Sequence, residues 1–247
     1  MRRLVCLGIL TWKLGPSSLQ PGGWMAKLVT LARSEHVGRV CLVFRHGEKQ
    51  QVDASACSDS DFWELSYQQP LTEQGLRQAE AFGKALRSRV LGQVSCIRLL
   101  SSEVPRCVET MEGVARAAGL PLSVLCQAEW MNATHRSGEE QEAAREMRRL
   151  GWKCIMDRLA LGEDVSGFLP LPDAVHSLRR TWSSVEGIET PRRLELVLVC
   201  THDVLLYALA SRFGKREIKA PDFLDAALWW CEDGRDHLYY DSAEFTG

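Results

Sequence analysis

Apolar residues recur along the chain with two periods. Val37 to Phe44 (VGRVCLVF), Ile97 to Leu100 and Leu194 to Cys200 (LELVLVC) are short apolar runs rich in β-branched residues, as in strands buried on both faces. Elsewhere the spacing lengthens. Leu76, Ala79, Phe82, Leu86 and Val90 recur every three or four residues, as do Val108, Met111, Ala115 and Ala118, so each set predicts a helix with one apolar face. Local chemistry marks the ends. Thr72 is a candidate N-cap, its hydroxyl able to accept an orphan backbone N–H. Pro105 suits the first turn of the second helix and Gly119 stops it. Leu122 to Leu125 predicts a further short strand.

The stretch from about 130 to 193 reads mostly as helix. Ser137 with Glu140 matches a capping box opening a helix to about Leu150, and Asp173 is a candidate cap for another through Val185. Val204 to Phe213 predicts a helix. Ala227 to Cys231, Asp233-Gly234 and His237 to Tyr240 predict a terminal hairpin, with Trp229-Trp230 packing it on the core. Glu48 to Gln69 is polar and predicts irregular chain. Strands alternating with helices predict an α/β fold: a three-layer sandwich with a mostly parallel central sheet and helices on both faces. The segment at about 120–193 is too long for a simple crossover and predicts a helical cap insertion. Gly15-Pro16-Ser17-Ser18 and Pro21-Gly22-Gly23 read as linker. The expected organisation is a poorly ordered leader, residues 1–24, before one domain, residues 25–247.

Composition narrows the function classes. With 45% hydrophobic and 25% charged residues the chain has the ordinary globular mix, which excludes wholesale disorder. Thirty basic against thirty-two acidic residues give −2, so no bulk attraction to nucleic acid is encoded, although a local basic pocket is compatible. No apolar run approaches the roughly 20 residues of a membrane span. Arg2 and Arg3 precede the apolar Leu4 to Leu10, the outline of a signal peptide, but Lys13 interrupts it and no small-x-small cleavage site follows. The nine Cys are scattered, odd in number and without a Cys-x-x-Cys pair, so neither a zinc site nor a disulfide framework is expected. The cytoplasm is the expected compartment, with secretion or a periplasm the alternative.

Three strands end alike. The first runs into Arg45-His46, the second through Ser101-Ser102 to Arg106, and the third into His202-Asp203. Open α/β sheets bind ligands outside the carboxyl ends of their strands. Parallel strands would gather these residues on one rim, beside helix N-termini whose free N–H groups favour anions. Arg forks match phosphate. A phosphate monoester needs cations as its charge redistributes during transfer, and Arg45, Arg106 and His202 are the candidates. Lys49 adds charge without a fork. Neutral imidazole is a competent nucleophile, which singles out His46, with Gly47 expected to supply backbone freedom and room. Asp203 is the candidate proton donor to the leaving group and base for water. Each has a plainer role when read alone: a structural histidine, a solvated arginine or lysine, a helix cap. Their convergence favours a site. The flanking Arg residues argue against a cation there.

Phe44-Arg45-His46-Gly47-Glu48 resembles the signature of the histidine phosphatase superfamily. Pro70-Leu71-Thr72-Glu73-Gln74-Gly75 resembles its following helix start. Ser101-Ser102 with Arg106 and Thr110 resembles its second arginine motif, and Thr201-His202-Asp203 its late histidine motif, all in the family's order between residue 37 and about residue 213. The resemblance implies a phosphoglycerate mutase-like α/β fold, a phosphohistidine intermediate and no metal or other cofactor. It makes His46 the nucleophile and Arg45, Arg106 and His202 the phosphate pocket. Lys49, Gln51 and Val204 depart from the acid-phosphatase branch, which usually has Arg, Pro and often a polar residue there. Glu48 is similar to the mutase branch, whose proton donor is a glutamate after the second arginine, and Glu129 stands about there. Asp203 is the preferred donor and Glu129 the alternative. The expected activity is metal-independent hydrolysis of a small phosphate monoester, with no nucleic-acid or membrane partner. Phosphotransfer or mutase chemistry, and non-catalytic phosphate binding, are the alternatives. The substrate and the oligomeric state are not legible.

Overall fold

The apolar runs form four parallel strands, β1 (Arg39–Arg45), β2 (Val94–Ser102), β3 (Leu125–Ala128) and β4 (Leu194–Thr201). Antiparallel β5 (Ala226–Glu232), β6 (Arg235–Tyr240) and β7 (Ala243–Thr246) complete, among the described residues, a seven-stranded sheet of order β3-β2-β4-β1-β5-β6-β7. This computed structural model describes residues 23–51, 58–122, 125–128, 135–136, 138–184, 194–215 and 220–247.

Helices cover both faces, and β1 shows why its sequence lacks polar alternation. Val40, Leu42 and Phe44 pack with α1 (Gly23–Ala32), α3 (Glu73–Arg89) and α4 (Pro105–Ala118). Cys41 and Val43 face the other way, toward α6 (Trp152–Ala160), α7 (Leu171–Ser184) and α8 (Asp203–Arg212). β4 is buried at every position for the same reason. Trp229 and Trp230 divide between the two layers, and both are buried, as the hairpin reading expected. α3 and α4 approach closely because Gly83 has no side chain: a Cβ there would meet Val114 O at 2.3 Å.

Within the stretch expected as a cap, α5 (Glu140–Leu150) packs against α2 (Asp59–Gln68). α6 and α7 instead help build one layer of the sandwich. Ile155, Met156, Leu159, Leu171, Val175 and Leu178 are buried in it. At about 1.5–3 kcal/mol for each fully buried side chain, those contacts make α6 and α7 integral to the domain.

Several end points differ from expectation. Gly23 and Trp24, read as the close of a leader, open α1, where Trp24, Met25, Leu28 and Leu31 share a buried face. The polar stretch read as irregular contains α2, opened by a capping box in which Ser58 and Asp61 satisfy each other's backbone N–H. Thr72 caps α3 as expected, accepting from Gly75 N at 3.0 Å, but Leu76 points outward and is 45% exposed. The strand expected at Leu122 begins only at Leu125. Asp173 lies within the first turn of α7 rather than at its cap, where its charge still complements the helix dipole. β7 is an additional edge strand. Residues 1–22, Ser137, Glu129 and Val185 lie outside the described residues. Among the described residues no helix is long and apolar enough to cross a membrane.

Candidate active site

Strand register assembles the site. β1 and β4 pair with Arg45 opposite Thr201, and β2 and β4 pair with Ser101 opposite Cys200. The carboxyl ends of β2, β4 and β1 are therefore neighbours, and α4 and α8 both start beside them. Arg106 follows Pro105 in the first turn of α4, while His202 is the N-cap residue of α8 and Asp203 its first residue. His46 N donates to Thr201 O at 2.9 Å, tying the signature loop to β4. His46, Arg106 and His202 are in direct contact, Arg45 reaches Asp203, and Lys49 stands close enough for its charge to act on both imidazoles.

His46 is 2% exposed. Its Nδ1 lies 2.7 Å from Gly47 O, and a carbonyl only accepts, so Nδ1 carries the hydrogen. Nε2 then holds the lone pair, to which Arg106 Nε donates at 3.2 Å. Burial, then Arg106, Arg45 and Lys49, hold this imidazole well below its ordinary value, so it is neutral at pH 7. His202 is held down in the same way, by burial first and Arg106 next. Arg106 Nη2 donates to its Nδ1 at 3.4 Å, which leaves the Nε2 hydrogen facing Ser102 Oγ at 3.3 Å and Cys107 Sγ at 3.6 Å. The two rings meet edge to face, 5.3 Å between centroids.

The cations are held from the far side. Arg106 Nη1 donates to Ser66 O at 2.9 Å and Tyr67 O at 3.3 Å, carbonyls at the negative end of α2. Arg45 donates to Pro221 O at 2.6 Å, meets Asp203 Oδ2 at 3.3 Å and lies over the Phe223 ring at 4.5 Å. Asp203 Oδ2 also accepts from Trp152 Nε1 at 3.2 Å, and Oδ1 from Val204 N at 3.0 Å. The Lys49 ammonium donates to Gln69 Oε1, and burial with the neighbouring Arg106 and Arg45 pushes it down to about 8. Among the described residues, Arg45, Arg106 and Lys49 gather around the Asp203 carboxylate, an excess of positive charge that suits a phosphoryl dianion.

Gly47 supplies room, as expected, but not backbone freedom. It takes no left-handed conformation. A Cβ there would come within 2.8 Å of Gly75 O, and one on Gly75 within 2.1 Å of Glu48 O. Two backbones thus meet without side chains between them, and Thr72 N donates to Glu48 O at 2.9 Å across the junction. Gly47 N donates to Thr110 Oγ1 at 3.0 Å, and that hydroxyl donates to Arg106 O at 2.6 Å, so the helix-start and arginine motifs buttress the loop that carries His46. The Glu48 carboxylate is engaged there, accepting from Thr72 Oγ1 at 3.1 Å.

Sequence reasoning missed Trp152, Phe223, Gln69, Cys107 and the carbonyls of Ser66, Tyr67 and Pro221. Ser102, a strand end and part of the arginine motif in the sequence, also holds Val104 N through its hydroxyl at 3.2 Å. None carries a spacing signal linking it to the motifs. Glu129 lies outside the described residues. Among the described residues no three His, Cys, Asp or Glu side chains gather as metal ligands.

The profile of the histidine phosphatase superfamily (branch 1) matches residues 41–227. No curated protein sequence matches the chain. Similar solved structures include a mycobacterial glucosyl-3-phosphoglycerate phosphatase (TM-score 0.55, 18% identity, 83% of this chain and 99% of that one). The same mycobacterial phosphatase with inorganic phosphate is also similar (0.53, 17%, 79% and 96%). So is the structure described as mycobacterial hydrolase 2 (0.55, 18%, 85% and 88%). At such identities the likeness establishes the fold. The profile match spans the signature, the arginine motif and the late histidine motif, and with them the chain belongs to the histidine phosphatase superfamily, branch 1.

Proposed function

We propose that the protein hydrolyses a phosphate monoester in two steps through a phosphohistidine at His46. The observation that carries this reading is the state of that imidazole: buried and neutral, with Nδ1–H tied to Gly47 O and the Nε2 lone pair directed at a guanidinium. In the first step Nε2 forms a bond to phosphorus as the ester P–O bond breaks. Arg106 and Arg45 take the phosphoryl oxygens, His202 accepts from Arg106 Nη2 and so holds the guanidinium in place, and Lys49 adds charge at the rim. The departing oxygen takes a proton from Asp203. The dianion draws Arg45 from the Asp203 carboxyl to the phosphoryl oxygens. In the second step water bonds to phosphorus, the N–P bond breaks, and the water's proton passes to Asp203. The mycobacterial phosphatases of the same fold are consistent with this activity.

The experiment is a rapid acid quench with radiolabelled substrate. An acid-labile, base-stable label is expected on the protein and should be missing from His46→Ala. A label that survives acid would put the phosphoryl group on another residue and overturn the reading. Turnover is expected undiminished in the presence of a chelator. Asp203→Asn should slow an alkyl phosphate far more than p-nitrophenyl phosphate, whose leaving group needs little protonation. Equal slowing would move the proton donor to Glu129. Orthophosphate release should exceed transfer to added alcohols or sugars; the reverse would make the protein a phosphotransferase.

A further inference from the structure

Among the described residues Asp203 is the carboxylate that meets Arg45 at the strand ends, and it is reached by a residue from outside them. Trp152, the first residue of α6, donates from Nε1 to Asp203 Oδ2 at 3.2 Å. The other donors to Asp203 are committed elsewhere. Arg45, 3.3 Å away, is a phosphate ligand in the proposed reaction, and Val204 N holds the opposite oxygen, Oδ1, at 3.0 Å. The indole is placed by packing rather than by this bond. It stands beside the Phe168 ring, 6.0 Å between centroids, and Ile155 and Met156, further along α6, are fully buried. Gly151, at φ 77°, turns the chain from α5 into α6 directly before it.

We propose that Trp152 is a positioning residue that keeps Asp203 Oδ2 directed at the leaving oxygen throughout the reaction, including when Arg45 has turned to the phosphoryl group. This rests on the phosphohistidine reading above. A guanidinium bound to a carboxyl favours only its ionised form, whereas a neutral N–H donor is compatible with both forms. An acid that must give up and regain a proton in each cycle therefore needs a holder of the second kind. Asp203 is fixed by α6 as well as by its own helix.

The test uses Trp152→Phe in the full chain, which keeps the ring and removes the N–H. With an alkyl phosphate kcat is expected to fall about tenfold, the size of one net hydrogen bond, and KM to hold. With p-nitrophenyl phosphate the loss should be at least fivefold smaller. In an Asp203→Asn background the same substitution should add nothing. Equal losses on both substrates, or a full loss in that background, would overturn the proposal. A second readout does not require Trp152→Phe to fold. Of the eight Trp indole N–H signals in the NMR spectrum, one should shift strongly in Asp203→Asn, and eight unmoved signals would sink the idea. Failure to trap any phosphohistidine in the unaltered protein would overturn the earlier reading alone, because the indole shift reports the contact whether or not the protein turns over.

Discussion

Arg106→Lys separates charge from geometry at the centre of the site. Arg106 is 9% exposed, and its guanidinium works in three directions at once: Nε to His46 Nε2 at 3.2 Å, Nη2 to His202 Nδ1 at 3.4 Å, and Nη1 to Ser66 O and Tyr67 O at 2.9 and 3.3 Å. A lysine keeps the positive charge but has one nitrogen, which cannot occupy two of those directions together. The loss is that of at least one preorganised donor to the transferring phosphoryl group, roughly 10²–10³ in rate. At 1.36 kcal/mol per decade that is about 2.7–4 kcal/mol of transition-state stabilisation. The fold should barely notice, because the carbonyls of Ser66 and Tyr67 belong to half-buried residues and water can replace the lost donor, at about 1 kcal/mol or less. The assay is kcat/KM for p-nitrophenyl phosphate across pH 5 to 9, with a thermal melt of each variant. Arg106→Ala adds a second signature. Arg106 is the largest charge holding His46 down, so removing it should move the acid limb of the pH profile toward higher pH, whereas Arg106→Lys should leave that limb in place. A lysine variant that melts like the unaltered protein and retains activity within tenfold would refute the argument, because charge alone would then suffice.

Burial and cations hold both His46 and His202 below the ordinary 6.5, so below that pH the unfolded chain binds protons that the folded one refuses. Stability should therefore fall as pH drops from about 6.5, by up to about 1.4 kcal/mol per unit for each imidazole; a flat denaturation midpoint from pH 7 to 5 would show that both charge within the fold. Lys49, pushed down to about 8 from 10.5, loses its charge in the folded protein first, so kcat/KM should decline above about pH 8 and Lys49→Arg should carry that decline at least one unit higher. An unmoved alkaline limb would remove Lys49 from substrate binding. Gly75→Ala would put a Cβ 2.1 Å from Glu48 O, a backbone atom that cannot swing aside; a loss of about 1–3 kcal/mol in chemical denaturation is expected, together with reduced kcat.

The sheet was legible wherever burial is two-sided, because β1 and β4 have no solvent face and their sequences show none. α3 and α4 were legible from their 3.6-residue period, although periodicity alone could not place Leu76, which lies in the first turn of α3 and escapes the core. α2 was not legible. Its sequence is largely polar, and its start depends on a capping box formed by Ser58 and Asp61 in a stretch whose composition reads as loop. α1 was hidden by the Pro-Gly-Gly before it, which resembles a linker even though the next residues carry an apolar face. β7 has four residues at an exposed edge, too few to show a pattern.

The gathering of His46, Arg106, His202 and Asp203 was legible for a simple reason. Once β1, β2 and β4 are parallel, their ends share one rim, and the segments that follow, the loop with His46, the first turn of α4 with Arg106 and the start of α8 with His202 and Asp203, open on the same space. The supports behind these residues follow no such rule. Trp152 and Asp203 are 51 positions apart, and Arg106 and Ser66 are 40 apart. The entropic cost of closing a loop grows only slowly with its length, so neither spacing favours the contact over many others. What selects Trp152 is the burial of Ile155, Met156 and Leu159 beyond it, which seats α6 against α8 in the core and carries the indole to Asp203. The groups proposed to bind phosphate are thus set by strand direction, while the indole that donates to the Asp203 carboxylate is set by core packing, which strand direction does not determine.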